Sequence, residues 1–483
     1  MKHRRKTLAL LMALLPLSLA ACGNGNPSAD TKSAKEEASS ESGSADASDG
    51  NEGSSSADLP GKPPEGAPDG NGGPGGSSAD INYSGAVEIT SSDEQSDRSY
   101  TSTAADESAL LISTADAVSI TNPTVTKSGD SDGGDNCNFY GLNAAVLVKD
   151  GGSSTITGGT ITSDASGANG AFCYGGNSGQ NGASGDGTKL TIRNTKIVTS
   201  GSGSGGIMTT GGGITDAYNL DVTTSGQSSA AIRSDRGGGT VTVDGGSYTS
   251  NGLGSPAIYS TADITVSNAA LNSNLSEGVC IEGLNSVTLN NCSLTANNTK
   301  RNGNATFLDT IMIYQSMSGD AASGTSRFTM SGGSLNSKSG HVFHVTNTDA
   351  VITLEGVEIV NEDADKILLS VCADGWSGGG NIAELKGISQ KLSGAVKVGS
   401  DSSLKLELTN DSSFTGSIDG SIKNEKGESV STDVGTVSVT LDSGSSWTLS
   451  ADSYVTEFSG SAANVISNGH TLYVNGTALT GTN

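Results

Sequence analysis

Between Ser154 and Ile359 one eight-position pattern recurs eight times: apolar, any, apolar, any, Gly or Asn, any, any, apolar. Well-formed copies are V-T-V-D-G-G-S-Y (Val241 to Tyr248), I-T-V-S-N-A-A-L (Ile264 to Leu271), V-T-L-N-N-C-S-L (Val287 to Leu294) and F-T-M-S-G-G-S-L (Phe328 to Leu335). Residues two apart share a face in an extended chain, so each copy reads as a strand, a sharp corner and a second strand. The corner slot holds Gly158, Asn194, Asn219, Gly245, Asn268, Asn291, Gly332 and Gly356. Gly and Asn are the residues that enter the left-handed backbone region most readily, so a fixed tight bend explains the slot. Successive corners are 36, 25, 26, 23, 23, 41 and 24 residues apart, one coil per copy with loops of varying length.

A third alternating strand precedes each block, as in A-A-I-R-S-D from Ala230, P-A-I-Y-S-T from Pro256, V-C-I-E-G-L from Val279 and I-M-I-Y-Q-S from Ile311. Three short strands per coil, stacked in register, predict an all-β parallel β-helix solenoid. One inward column is expected from Ile156, Ile192, Ala217, Val243, Val266, Leu289, Met330 and Leu354. Beyond the corner a second follows from Ile161, Ile197, Val222, Tyr248, Leu271, Leu294, Leu335 and Ile359. Each coil then buries four or five apolar side chains at roughly 1.5–3 kcal/mol each, too little for one coil alone and enough for a stack. The narrow core also reconciles the fold with 69 Gly and only 33% apolar residues.

The ends have a different character. Lys2, Arg4, Arg5 and Lys6 precede an apolar run from Leu8 to Leu19 and then L-A-A-C ending at Cys22. The run is short for a membrane span and resembles a bacterial lipoprotein signal, which implies cleavage of 1–22 and a lipid on Cys22. Residues 23–81 are Ser, Gly, Asp, Glu, Asn and Pro with almost nothing to bury, and are expected to form a disordered tether reaching about 40 Å. The β-helix is expected over 82–440 as a rod of roughly 75 Å, with irregular coils and a cap over 441–483 to which Trp447, Tyr454 and Phe458 contribute. Loss of the four basic signal residues leaves 22 Lys and Arg against 51 Asp and Glu, a net charge of −29. Nucleic acid and anionic lipid are poor partners for such a chain, which is expected to be a monomer touching membrane only through its lipid. Cys137, Cys173, Cys280, Cys292 and Cys372 fit no zinc spacing and are expected as small buried residues, a stacked pair remaining open.

Outward positions of the first strand offer a candidate ligand face. One residue after each inward apolar residue come Leu147, Cys173, Met208, Arg233, Tyr259, Glu282, Tyr314 and His344, with Asp235 two residues beyond Arg233. Arg233, Asp235, Tyr259, Glu282, Tyr314 and His344 are the expected binding residues on an open face, walled by insertions at 175–187, 297–308, 315–325 and 374–381. Tyr rings stack on sugars and Arg forks onto carboxylates, so a polysaccharide or cell-surface glycan is the expected partner. Asp130, Asp132 and Asp135 have the alternate spacing of a loop calcium site but lack a closing bidentate Glu, so Ca²⁺ is a candidate ligand there and a solvated turn the plainer reading.

Signal, tether and coil blocks together resemble the bacterial surface lipoproteins built on the right-handed parallel β-helix, the pectate-lyase-like fold, over 82–440. The resemblance implies fold only, because members include polysaccharide lyases, hydrolases, carbohydrate-binding proteins and adhesins. Asn347-Thr348-Asp349 matches one hydrolase element by its letters, but no Asp-Asp pair occurs and Gly340-His341 is followed by Val342. No catalytic residue is therefore assigned. The expected role is non-catalytic carbohydrate binding or adhesion, with a lyase or glycoside hydrolase acting on an acidic polysaccharide as the alternative.

Overall fold

The computed structural model describes residues 81–131, 133–179, 184–316, 318–376 and 380–483. The signal, Cys22, the tether up to residue 80 and Asp132 lie outside the described residues.

The chain winds into a parallel β-helix. First strands stack into a 13-stranded parallel sheet, from Ser84–Ile89 to Ile418–Asp419. Second strands and most third strands share a 22-stranded sheet, because in two coils one continuous strand, Gly213–Thr224 or Gly239–Ser250, passes through the corner. Both inward columns form in the expected register: Val243 pairs with Val266 and Val266 with Leu289, while Tyr248 pairs with Leu271 and Leu271 with Leu294.

All eight corner residues have positive φ, between 50° and 74°. The same slot recurs outside the eight copies at Asp97, Asn122, Ser389 and Asn410, each with φ near 50°. Some of the side chains bridge coils, as where the Asn268 amide donates to Asp244 Oδ1 at 2.8 Å. At the corner between the third and first strands the devices are buried serines. Ser229 Oγ accepts the Ser204 N–H at 2.9 Å and donates to the Gly201 carbonyl at 3.1 Å, and Ser204 and Ser255 act likewise. These hydroxyls meet backbone groups that a corner would otherwise leave unpaired.

Parallel pairing continues past residue 440. Ser438–Thr440 pairs with Glu457–Ser459, Trp447 with Val465, and Ser453–Val455 with Leu472–Val474. Termination comes where Tyr473 and Val474 turn back antiparallel onto Ala478 and Thr477. Trp447 is fully buried, stacked 5.5 Å from Phe414, so it fills the last core layers rather than lying over the end. Tyr454 lies outside, 41% exposed and stacked on Tyr473 at 5.2 Å. All five described cysteines are buried free thiols.

Candidate functional site

The outward column of the first strands differs in register from the sequence expectation. Arg233 pairs with Tyr259, but Tyr259 pairs with Cys280, and Met312 rather than Tyr314 pairs with His344. Glu282 and Tyr314 face each other two residues further along, in the column that also holds Asp235 and Thr346. Alternation fixes which face a residue takes, and a slip of two residues preserves it. Hence the face was legible and the column was not. Cys173 is a reversal of face: it points into the core beside Val148 and Thr209, while Phe172 points outward against Leu147 and Met208. Both residues are apolar, so the local pattern could not orient them.

The larger correction concerns access. Instead of walling an open groove, described residues of three insertions lie on the face, Ser316 and Ser318 against Glu282, Trp376 against Tyr314 and Phe307 against His344. Glu282 is 1% exposed, Asp235 5% and His344 0%, whereas Arg233 and Tyr259 stay partly exposed. The six expected residues divide into two polar clusters beneath this cover.

The first cluster centres on Glu282. Its Oε2 accepts the Tyr259 hydroxyl at 2.5 Å and the Tyr314 hydroxyl at 3.3 Å, while Oε1 accepts the hydroxyls of Ser316 and, at 3.4 Å, Ser318. Burial raises the Glu282 pKa, opposed by these donors. Burial beside this carboxylate also holds the Tyr259 and Tyr314 phenols well above their ordinary range. Two coils before Glu282, Arg233 donates to Asp235 Oδ2 at 2.8 Å, to Asn138 Oδ1 at 3.1 Å and to the Ser228 carbonyl. Burial pushes the Asp235 carboxyl up to about 7 despite the pull of Arg233, with Asp320 and Glu282 adding repulsion. Trp376 closes one edge, its ring 4.9 Å from Tyr314 and partly exposed.

His344 belongs to the second cluster. Its Nδ1 and that of His341 each lie 2.7 Å from Ser370 Oγ, and its Nε2 is 3.3 Å from Asp374 Oδ2 without an aligned hydrogen bond. Asp374 Oδ1 accepts the Thr306 N–H, the Thr306 hydroxyl and the Gly375 N–H, at 2.7, 2.6 and 2.7 Å. Burial opposes ionisation of Asp374, but His344 and the Thr306 donors outweigh it and hold the carboxyl below its usual range. Burial depresses His341 to about 3, leaving a neutral ring.

Ser370, His344 and Asp374 match a nucleophile, base and orienting acid by residue type. All three side chains are sealed beneath Phe307, which is 1% exposed and 4.8 Å from the His344 ring. In this arrangement Ser370 is spanned by two imidazoles and Asp374 clasps the 297–308 insertion, so the cluster bolts insertion to coil. Thr306, Ser370 and Asp374 were not legible as a site, since they are brought together from insertions and strands far apart in sequence.

The acidic turn contains a cation of its own. Lys127 is fully buried and its Nζ donates to the carbonyls of Ala104, Ser128 and Gly129 at 2.8, 2.5 and 2.9 Å. Asp130 accepts the Ser166 N–H at 2.7 Å, whereas Asp135 opens the short helix Asp135–Phe139. Burial and Asp320 raise the Asp135 pKa against Arg236 and Arg233. Among the described residues no group of three or more His, Cys, Asp or Glu side chains is placed to hold a metal ion. No described helix is long and apolar enough to cross a membrane. No family model, curated protein or solved structure matches the chain.

Proposed function

We propose that this chain is a non-catalytic β-helical protein of the bacterial cell surface, held by a lipid on Cys22, that binds carbohydrate or mediates adhesion at the edge of the first-strand face. The observation that carries the reading is the partly exposed pair of rings, Tyr259 and Trp376, flanking the Glu282 and Arg233 hydrogen-bonding groups. Aromatic faces beside fixed polar groups are the chemistry that holds sugar rings. Support for a binding rather than a reacting site comes from Glu282 and Asp235, whose oxygens are engaged by the protein's own donors. Support for the anchor is the L-A-A-C sequence behind its basic and apolar runs.

Affinity-gel retention of the purified rod on acidic and neutral polysaccharides, with a parallel assay for unsaturated products and new reducing ends, tests this reading. Retention without products, weakened at least tenfold by Tyr259→Ala with Trp376→Ala, is expected. Product formation would establish the lyase or hydrolase alternative, and retention untouched by the double substitution would remove the site. Cys22→Ala should release the protein from membranes.

A further inference from the structure

The turn carrying Ser316, Ser318 and Asp320 touches the first-strand face through two hydroxyls and one carboxylate. Both serine hydroxyls bond Glu282 Oε1, and Asp320 Oδ1 accepts Arg236 Nε at 3.1 Å and Nη2 at 2.7 Å. Hydroxyls on a carboxylate and a carboxylate on a guanidinium fork are the contacts an acidic sugar makes with a protein. The Arg236 fork is held in place independently of Asp320, its guanidinium lying over the Phe139 ring at 4.1 Å. Side chains of Arg236 and Asp320 are each 17% exposed, at the solvent boundary, while Glu282 lies beneath. The turn also brings a third carboxylate within electrostatic range of Asp235 and Glu282.

We propose that this turn is an internal stand-in for ligand: Ser316, Ser318 and Asp320 occupy the positions of two sugar hydroxyls and a sugar carboxylate, and a carboxylated glycan displaces them from Glu282 and Arg236. The inference rests on the carbohydrate reading above and adds its regulation. An arriving ligand must match the turn's contacts before it gains any of its own, so removing the Asp320 carboxylate strengthens binding.

The experiment is calorimetric titration of the wild-type protein, Asp320→Ala and Arg236→Lys with galacturonic acid oligomers and with galactose oligomers of equal length. Asp320→Asn, which keeps the shape of the side chain, replaces Asp320→Ala if melting shows the latter unfolded. Asp320→Ala is expected to bind the acidic oligomer about fivefold more tightly, the worth of an ion pair at the solvent boundary, and the neutral one unchanged. Arg236→Lys is expected to lose the preference for acid, since an ammonium lacks the fork. Wild-type binding that Asp320→Ala does not strengthen, or an equal gain for the neutral oligomer, overturns the stand-in and leaves the carbohydrate reading standing. Failure of every variant to bind either oligomer overturns both.

Discussion

Replacing Asp235 by Asn should change how stability depends on pH, and the change can be worked out from two buried groups. Asp235 holds its proton in the fold up to a pH of about 7, against an ordinary 3.8 for an aspartate. Where the folded state binds more protons than the unfolded one, stability falls as pH rises. The Asp235 contribution is therefore fully present below about pH 4 and is lost as pH rises through 7. Between pH 8 and pH 5 it amounts to about 3 kcal/mol, two pH units at 1.36 kcal/mol each. His341 works in the opposite direction, because its folded pKa is about 3 and its unfolded value 6.5. Its contribution is lost as pH falls below 6.5, by about 2 kcal/mol at pH 5. The two oppose each other in the wild-type protein, so its curve alone separates neither group. The informative quantity is the difference between wild type and Asp235→Asn from urea unfolding at pH 5, 6, 7 and 8. Any constant penalty for disturbing Arg233 drops out of its slope, and the difference should grow by about 3 kcal/mol from pH 8 to pH 5. A difference that stays constant across that range would refute the claim that Asp235 is protonated beneath its cover.

Other expectations concern the frame. Asn268→Ala should cost about 1–2 kcal/mol in urea unfolding because Ala at the corner φ of 56° lacks the side-chain amide that lets Asn accept a left-handed backbone and that donates to Asp244, while Asn268→Gly, with no Cβ, should cost less. Leu289→Ala, fully buried in the inward column, should cost about 3–5 kcal/mol, and the outward neighbour Thr288→Ala less than about 0.5 kcal/mol. Ser229→Ala should cost about 1–3 kcal/mol by stranding the Ser204 N–H, visible as faster hydrogen exchange at that amide. Thiol titration should find the five described cysteines unreactive in the native protein and reactive in denaturant, with burial pushing the Cys173 thiol up to about 12.

The sequence by itself determined the coil. The corner slot and the two inward columns follow from local alternation and from the few residues that accept a positive φ, and Asn194, Asn268 and Leu289 stand where that logic places them. The same logic placed Arg233, Tyr259, Glu282, Tyr314 and His344 in one outward column of the first strands; pairing keeps Arg233, Tyr259 and His344 there and sets Glu282 and Tyr314 two residues along on the same face. Tertiary structure alone decided what that face is. Its cover comes from contacts such as Arg233 with Asn138, Arg236 with Asp320 and Thr306 with Asp374, which join residues 95, 84 and 68 apart. Insertions carry no alternation that says where they lie, so no periodic pattern could show that they fold inward over Glu282 instead of standing beside it. A repeat writes the geometry of its strands into every copy; where a loop comes to rest depends on distant side chains that meet only once the coils are stacked.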